Sequence, residues 1–142
     1  METKIHTTGP ELKKNRPVLQ KIMKWSSEKL KLPLASLTVI ITDDTRLRDL
    51  HKQYLGDNSL TDVLTFNLGD KDAIEGEIYI SLDRARDQAA FYNTSLMEEL
   101  SRLIIHGTLH LAGLDDRNAV LRKEMKKKED ILVQKVVDLY QL

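Results

Sequence analysis

SLMEELSRLIIHGTLHLAGLDD, residues 95–116, opens as a helix start and closes as a chain reversal. Ser95-Leu96-Met97-Glu98 matches a capping box, in which a serine oxygen and a glutamate carboxylate satisfy free amides of the first helical turn. Leu100, Leu103, Ile104, Ile105, Leu109 and Leu111 leave few directions free of apolar side chains. A helix from Leu96 to about Leu111 is therefore expected to be largely buried. Gly113 suits the left-handed residue that ends such a helix. A helix that is apolar nearly all round must be packed by other elements, so it is placed at the centre of the fold.

Along the chain, strands interleaved with helices precede this helix and a helix alone follows it. Thr3 to Thr8 reads as a short strand broken by Gly9-Pro10. Val18, Leu19, Ile22, Met23, Trp25 and Leu30 roughly follow a helical period over Pro17 to about Lys31, where Pro17 fits the first turn. Pro33 ends that helix. Leu37 to Ile41 is short and rich in β-branched residues, a buried strand. Asp43, Asp44 and Thr45 are candidate caps for a helix over Arg46 to Tyr54, and Gly56-Asp57-Asn58-Ser59 reads as a loop. Leu64, Phe66 and Leu68 alternate with Thr65 and Asn67 as a half-buried strand does, and Glu77 to Ile80 forms its hairpin partner. Helices are expected over Leu82 to Tyr92 and Ala119 to Tyr140. The expected architecture is α+β, a mixed α/β layer. It has a small, mostly parallel sheet of about four strands with one hairpin and about five helices, in a single domain over residues 1–142.

The chain has 142 residues, 41% hydrophobic and 31% charged, an ordinary globular composition. It contains no cysteine, which excludes thiolate metal sites and cysteine nucleophiles. No apolar run approaches the roughly 18 residues of a membrane span, and the N-terminus lacks a secretory core, so a cytoplasmic location is expected with no membrane partner. Twenty-two basic and 22 acidic residues give zero formal charge. That argues against nucleic-acid binding by bulk charge but leaves local patches open. One patch runs from Arg117 to Lys128, where Arg117, Arg122, Lys123, Lys126, Lys127 and Lys128 face a single acid, Glu124. It is either a solvated helix face or a phosphate-facing surface.

His106 and His110 are four residues apart, so on a helix they project within about 40° of each other. They are either core histidines bonded to backbone or two ligands of one ion. Gly113 lets the chain turn back, and Asp116 then supplies a third ligand while a coordination position stays open. H-x-x-x-H-x-x-G-x-x-D has the ligand spacing of the metzincin proteases, but these carry a glutamate base after the first histidine. Here that residue is Gly107.

His106-Gly107-Thr108-Leu109-His110-Leu111-Ala112-Gly113 resembles the H-G-x-L-H-L-x-G signature of the YbeY family of bacterial ribosomal-RNA maturation endoribonucleases. Thr61-Asp62-Val63-Leu64-Thr65-Phe66 resembles the family's T-D-V-L-S-F, and Gly76-Glu77-Ile78-Tyr79-Ile80-Ser81 its G-D-I-x-I-S. The stretch Glu99 to Leu103 also fits, so the likeness runs over roughly residues 37 to 120. It implies a single-strand-specific endoribonuclease that matures the end of the small-subunit ribosomal RNA and serves ribosome quality control. It also implies one Zn²⁺, a ribosomal RNA precursor as substrate, and small-subunit proteins or an assembly GTPase as partners. Two positions depart from the family. Its third histidine aligns with Asp116, which adds negative charge to the ligand set, and an arginine of many members falls on Leu55.

On this basis the expected metal ligands are His106, His110 and Asp116, with Asp115 one position short. Expected RNA contacts are Arg117, Arg122, Lys123 and Lys126, and Asp62 is the candidate second acid or base. His51, Lys52, Arg102 and Arg117 are candidates to stand in for the missing arginine. Two further functions compete with the nuclease. One is a ribosome-assembly binding module with structural or weakly catalytic zinc; the other is a metzincin-like metallohydrolase.

Overall fold

The computed structural model describes residues 2–56 and 61–142, and the side chain of Leu55 also falls outside this description. The loop expected over Gly56 to Ser59 is therefore described only at Gly56, whose φ of 69° caps the preceding helix. Four strands, β1 (Glu2–Thr7), β2 (Leu34–Thr42), β3 (Val63–Asn67) and β4 (Ile74–Ser81), form one sheet in the order β1-β2-β4-β3. β1–β2 and β2–β4 are parallel, while β3 and β4 form the antiparallel hairpin. Among the described residues five α-helices accompany it: α1 (Arg16–Lys29), α2 (Asp44–Leu55), α3 (Leu82–Tyr92), α4 (Leu96–Leu111) and α5 (Ala119–Tyr140). The mostly parallel sheet with one hairpin and five helices is the architecture expected from the sequence.

Local chemistry explains the helix starts. Asp43, Ser81, Ser95 and Asn118 each accept a hydrogen bond from the backbone N–H three residues on. At the other end of α4, Gly113 takes φ +96°, which reverses the chain toward Asp116. Leu37, Val39 and Ile41 of β2 and Ile78 and Ile80 of β4 are fully buried with Leu100, Ile104, Ile105 and Leu109 of α4. Each such side chain contributes roughly 1.5–3 kcal/mol by leaving water.

The hairpin differs from expectation in its outer strand. Leu68 lies beyond β3 and is 62% exposed. Asn67 turns the chain there, its side-chain oxygen accepting from Gly69 N and Glu75 N. Phe66 lies within ring-contact distance of both Tyr54 of α2 and Tyr79 of β4. The alternate residues Val63 and Thr65 instead line a cleft beside the α4 histidines.

Gly107 is where α4 meets the sheet. A Cβ there would stand 2.7 Å from Cδ1 and 2.9 Å from Cγ2 of Ile78. The glycine thus serves close helix–sheet packing, and a glutamate at this position would point into the core. Gly107→Ala gains about 1 kcal/mol of helix propensity but incurs about 1–3 kcal/mol of overpacking. A net loss of stability is expected in urea titrations; an unchanged or higher midpoint would show that Ile78 repacks freely.

Candidate metal centre

One end of α4 carries both imidazoles inward. His106 Nε2 and His110 Nε2 are 3.1 Å apart. The turn at Gly113 brings Asp116 Oδ2 to 3.7 Å from the first and 3.9 Å from the second. Donors about 2.0–2.1 Å from a tetrahedral zinc stand about 3.3 Å from one another. The three atoms therefore already have nearly the spacing of a ligand set, and this group could hold a metal ion. Two nitrogens and one carboxylate oxygen suit zinc or a similar borderline cation.

The histidines are oriented by partners of their own. Glu129 Oε1 lies 2.7 Å from His106 Nδ1, so Nδ1 carries the proton and donates it, leaving the Nε2 lone pair for the cluster. Glu129 is in turn held by Arg102 Nη1 at 2.8 Å, and the same nitrogen donates to Asp130 at 2.7 Å. His110 stands edge-on to the His106 ring, centroids 4.7 Å apart at 76°.

These contacts set the charges. Burial disfavours charged His106, but the Glu129 hydrogen bond and charge outweigh it, so His106 holds its proton above the usual 6.5. Burial and the neighbouring His106 lower His110 from the same value. Burial alone would raise Glu129, yet the bonds from His106 and Arg102 hold it below its usual 4.5. Without metal, the first proton of the pair belongs to His106. The stability it gives is complete below pH 6.5 and fades as pH rises through its raised folded value, whereas His110 opposes this by resisting protonation below 6.5. A metal ion must displace the extra His106 proton. Affinity is therefore expected to rise, with proton release, as pH climbs above 6.5 through the raised His106 value. Titration calorimetry in buffers of different ionisation heat checks this, and a pH-independent affinity with no released proton would contradict the ligand role of His106.

Two clefts meet at the cluster, and Asp62, His106 and Asp116 line both. The smaller runs along Thr61 to Thr65 of the β3 edge. The larger, of about 750 Å³, lies between α4 and α5 and includes Arg122, Lys123 and Lys126. Arg117 is not among the residues lining either cleft; it is paired with Asp115, which it reaches at 3.4 Å. Asp115 faces that arginine rather than the histidines. Asp62 accepts from Gln88 Nε2 at 3.1 Å. Of the candidate replacement cations, Arg102 is engaged by two carboxylates, and Lys52 is exposed on α2.

Glu129 is missing from the residues singled out in the sequence, and Glu99 appears there only as part of the family-like stretch, with no role in the site. The signal was present: Met125, Val133 and Val136 mark the buried face of α5, and Glu129 sits on that same face. An acid on an apolar stripe requires a partner. Glu99 likewise occupies a buried position of α4 and lines the larger cleft.

The family profile described as Endoribonuclease YbeY matches residues 2–137. An Endoribonuclease YbeY of Amoebophilus asiaticus is 41% identical over 110 residues, 75% of each chain. One of Aquifex aeolicus is 37% identical over 133 residues, 89% of each chain. The solution structure of a Thermotoga maritima protein superposes with a TM-score of 0.64 at 29% identity, covering 99% of this chain and 92% of that one.

Proposed function

The chain belongs to the YbeY endoribonuclease family, and from that premise we propose that it cleaves single-stranded RNA at a zinc centre formed by His106, His110 and Asp116. The observation that carries this reading is the convergence of those three donor atoms where two clefts meet. A bound divalent ion would supply Lewis-acid stabilisation of the charge that develops on the scissile phosphate. Glu129 keeps His106 in the ligating tautomer. Arg122, Lys123 and Lys126 draw the phosphate backbone along the larger cleft. Asp62, oriented by Gln88 at the junction of the clefts, is placed to take the proton of the attacking hydroxyl, whether from water or from the RNA 2′-oxygen.

The family resemblance supports a finer assignment: maturation of the small-subunit ribosomal RNA end and ribosome quality control, in the cytoplasm, with ribosomal proteins or an assembly GTPase as partners. Among the described residues no helix is long and apolar enough to cross a membrane. The decisive experiment strips the protein with chelator and assays a precursor RNA before and after zinc is restored. Cleavage is expected to disappear and return; full activity in the stripped protein would refute the metal role. Replacing both Lys123 and Lys126 by Gln should lower the slope of log affinity against log salt by about 0.7 for each phosphate that is no longer neutralised. An unchanged slope would place the RNA elsewhere.

A second reading, an RNA- or ribosome-binding module with structural or weakly catalytic zinc, draws on the engagement of Arg102 by Glu129 and Asp130. That pairing keeps a nearby cation from the phosphate. It predicts that His110→Ala binds RNA and supports growth normally. The metzincin-like reading is disfavoured by Gly107, which faces Ile78 and leaves no room for the glutamate base.

A further inference from the structure

The larger cleft has a composition that phosphate binding alone does not explain. Of its cations, Arg122, Lys123 and Lys126 come from α5, and Arg102 of α4 is already engaged by Glu129 and Asp130. Asp62 and the buried Glu99 also line it, and burial pushes the Glu99 carboxyl above its usual range despite nearby Arg102. Leu103 and Met125 add apolar surface. A phosphodiester is attracted to the α5 side and repelled by the carboxylates, while a nucleobase has apolar faces and polar edges that suit the remainder. About 750 Å³ lies within the roughly 300–1,000 Å³ of pockets that hold small organic groups.

An aromatic side chain completes the cleft. Tyr92, the last residue of α3, lines it and is 66% exposed. Phe91 stands edge-on to it, ring centroids 5.0 Å apart at 86°. Exposed aromatics are what proteins use to stack unpaired bases, and every base has a face to offer.

We propose that this cleft is a nucleobase subsite: a base next to the cleaved phosphodiester leaves its neighbours and stacks on Tyr92, while its phosphate lies on Arg122, Lys123 and Lys126. Phe91 positions the Tyr92 ring. A base held in a duplex is unavailable for such stacking, so the subsite would itself select single-stranded RNA. The inference rests on the endoribonuclease reading and deepens it.

The test measures binding of a short single-stranded oligoribonucleotide, and of the same oligomer with one abasic position scanned along it, by fluorescence anisotropy. Cleavage of the intact oligomer is assayed separately. Wild-type protein should bind the intact oligomer about tenfold more tightly than the oligomer abasic at the stacked position. Tyr92→Ala should lose that difference and bind both equally weakly, whereas Tyr92→Trp should keep it; Phe91→Ala should lose part of it. Tyr92 is exposed at a helix end, so these variants are expected to fold, and circular dichroism checks that they do. If Tyr92→Ala retains wild-type affinity and base dependence, the subsite is refuted while cleavage still stands, and the aromatic pair becomes a surface for a protein partner. If wild-type protein neither binds nor cleaves the oligomer, the subsite and the nuclease reading fail together.

Discussion

Asp116→Ala should abolish zinc-dependent behaviour while leaving the metal-free fold intact. Asp116 stands in a turn with its side chain 46% exposed, so its loss removes little packing. Metal-free stability should change by no more than about 0.5 kcal/mol. Its carboxylate is nonetheless one of the three donors, and losing it should weaken zinc by more than the roughly 10–100-fold that removal of a ligand's outer partner costs. At zinc one hundred times the wild-type dissociation constant, binding adds about 2.7 kcal/mol to wild-type stability. That increment should largely vanish in Asp116→Ala, together with cleavage. Asp116→His restores the imidazole expected of the family and should bind zinc. Elemental analysis and thermal melts with and without zinc decide the matter. One tightly held ion per chain in Asp116→Ala would remove the carboxylate from the site.

Glu129→Ala should be the most damaging single change away from the donor atoms. It leaves His106 Nδ1 without its acceptor and Arg102 with Asp130 as its remaining acidic partner. Breaking a buried ion pair by removing one member costs about 3–5 kcal/mol, and the surviving Asp130 contact places this case toward the lower end. Glu129→Gln keeps the shape and can still accept from His106, so a smaller loss is expected. The metal should nevertheless bind about 10–100-fold more weakly, because the neutral amide raises imidazole basicity less. The charge that holds the extra proton on His106 is also gone, so the rise of affinity with pH should move to lower pH. A Gln variant with wild-type affinity and an unmoved pH profile would mean that Glu129 serves packing alone.

Features that depend on near neighbours along the chain were legible from the residues alone. The bounds of α3, α4 and α5 could be read because caps, periodicity and the turn at Gly113 act within a few residues. The His106–His110 pair was legible for the same reason: helical geometry brings residues four apart onto one face. Asp116 followed from the turn and the family signature. Strand ends were less legible, as Leu68 shows: its alternation continues where Asn67 has already turned the backbone.

Which distant groups complete the site was settled by packing in three dimensions. Glu129 reaches His106 across 23 positions of sequence, and Gln88 reaches Asp62 across 26. No local period relates such pairs; they meet because α5 packs on α4 and α3 returns beside the hairpin. The packing also separated Arg122, Lys123 and Lys126, which line the cleft, from Arg117, which pairs with Asp115. In the sequence they form one basic run. Helical rotation and the surface against which α5 is buried give each cation a different environment.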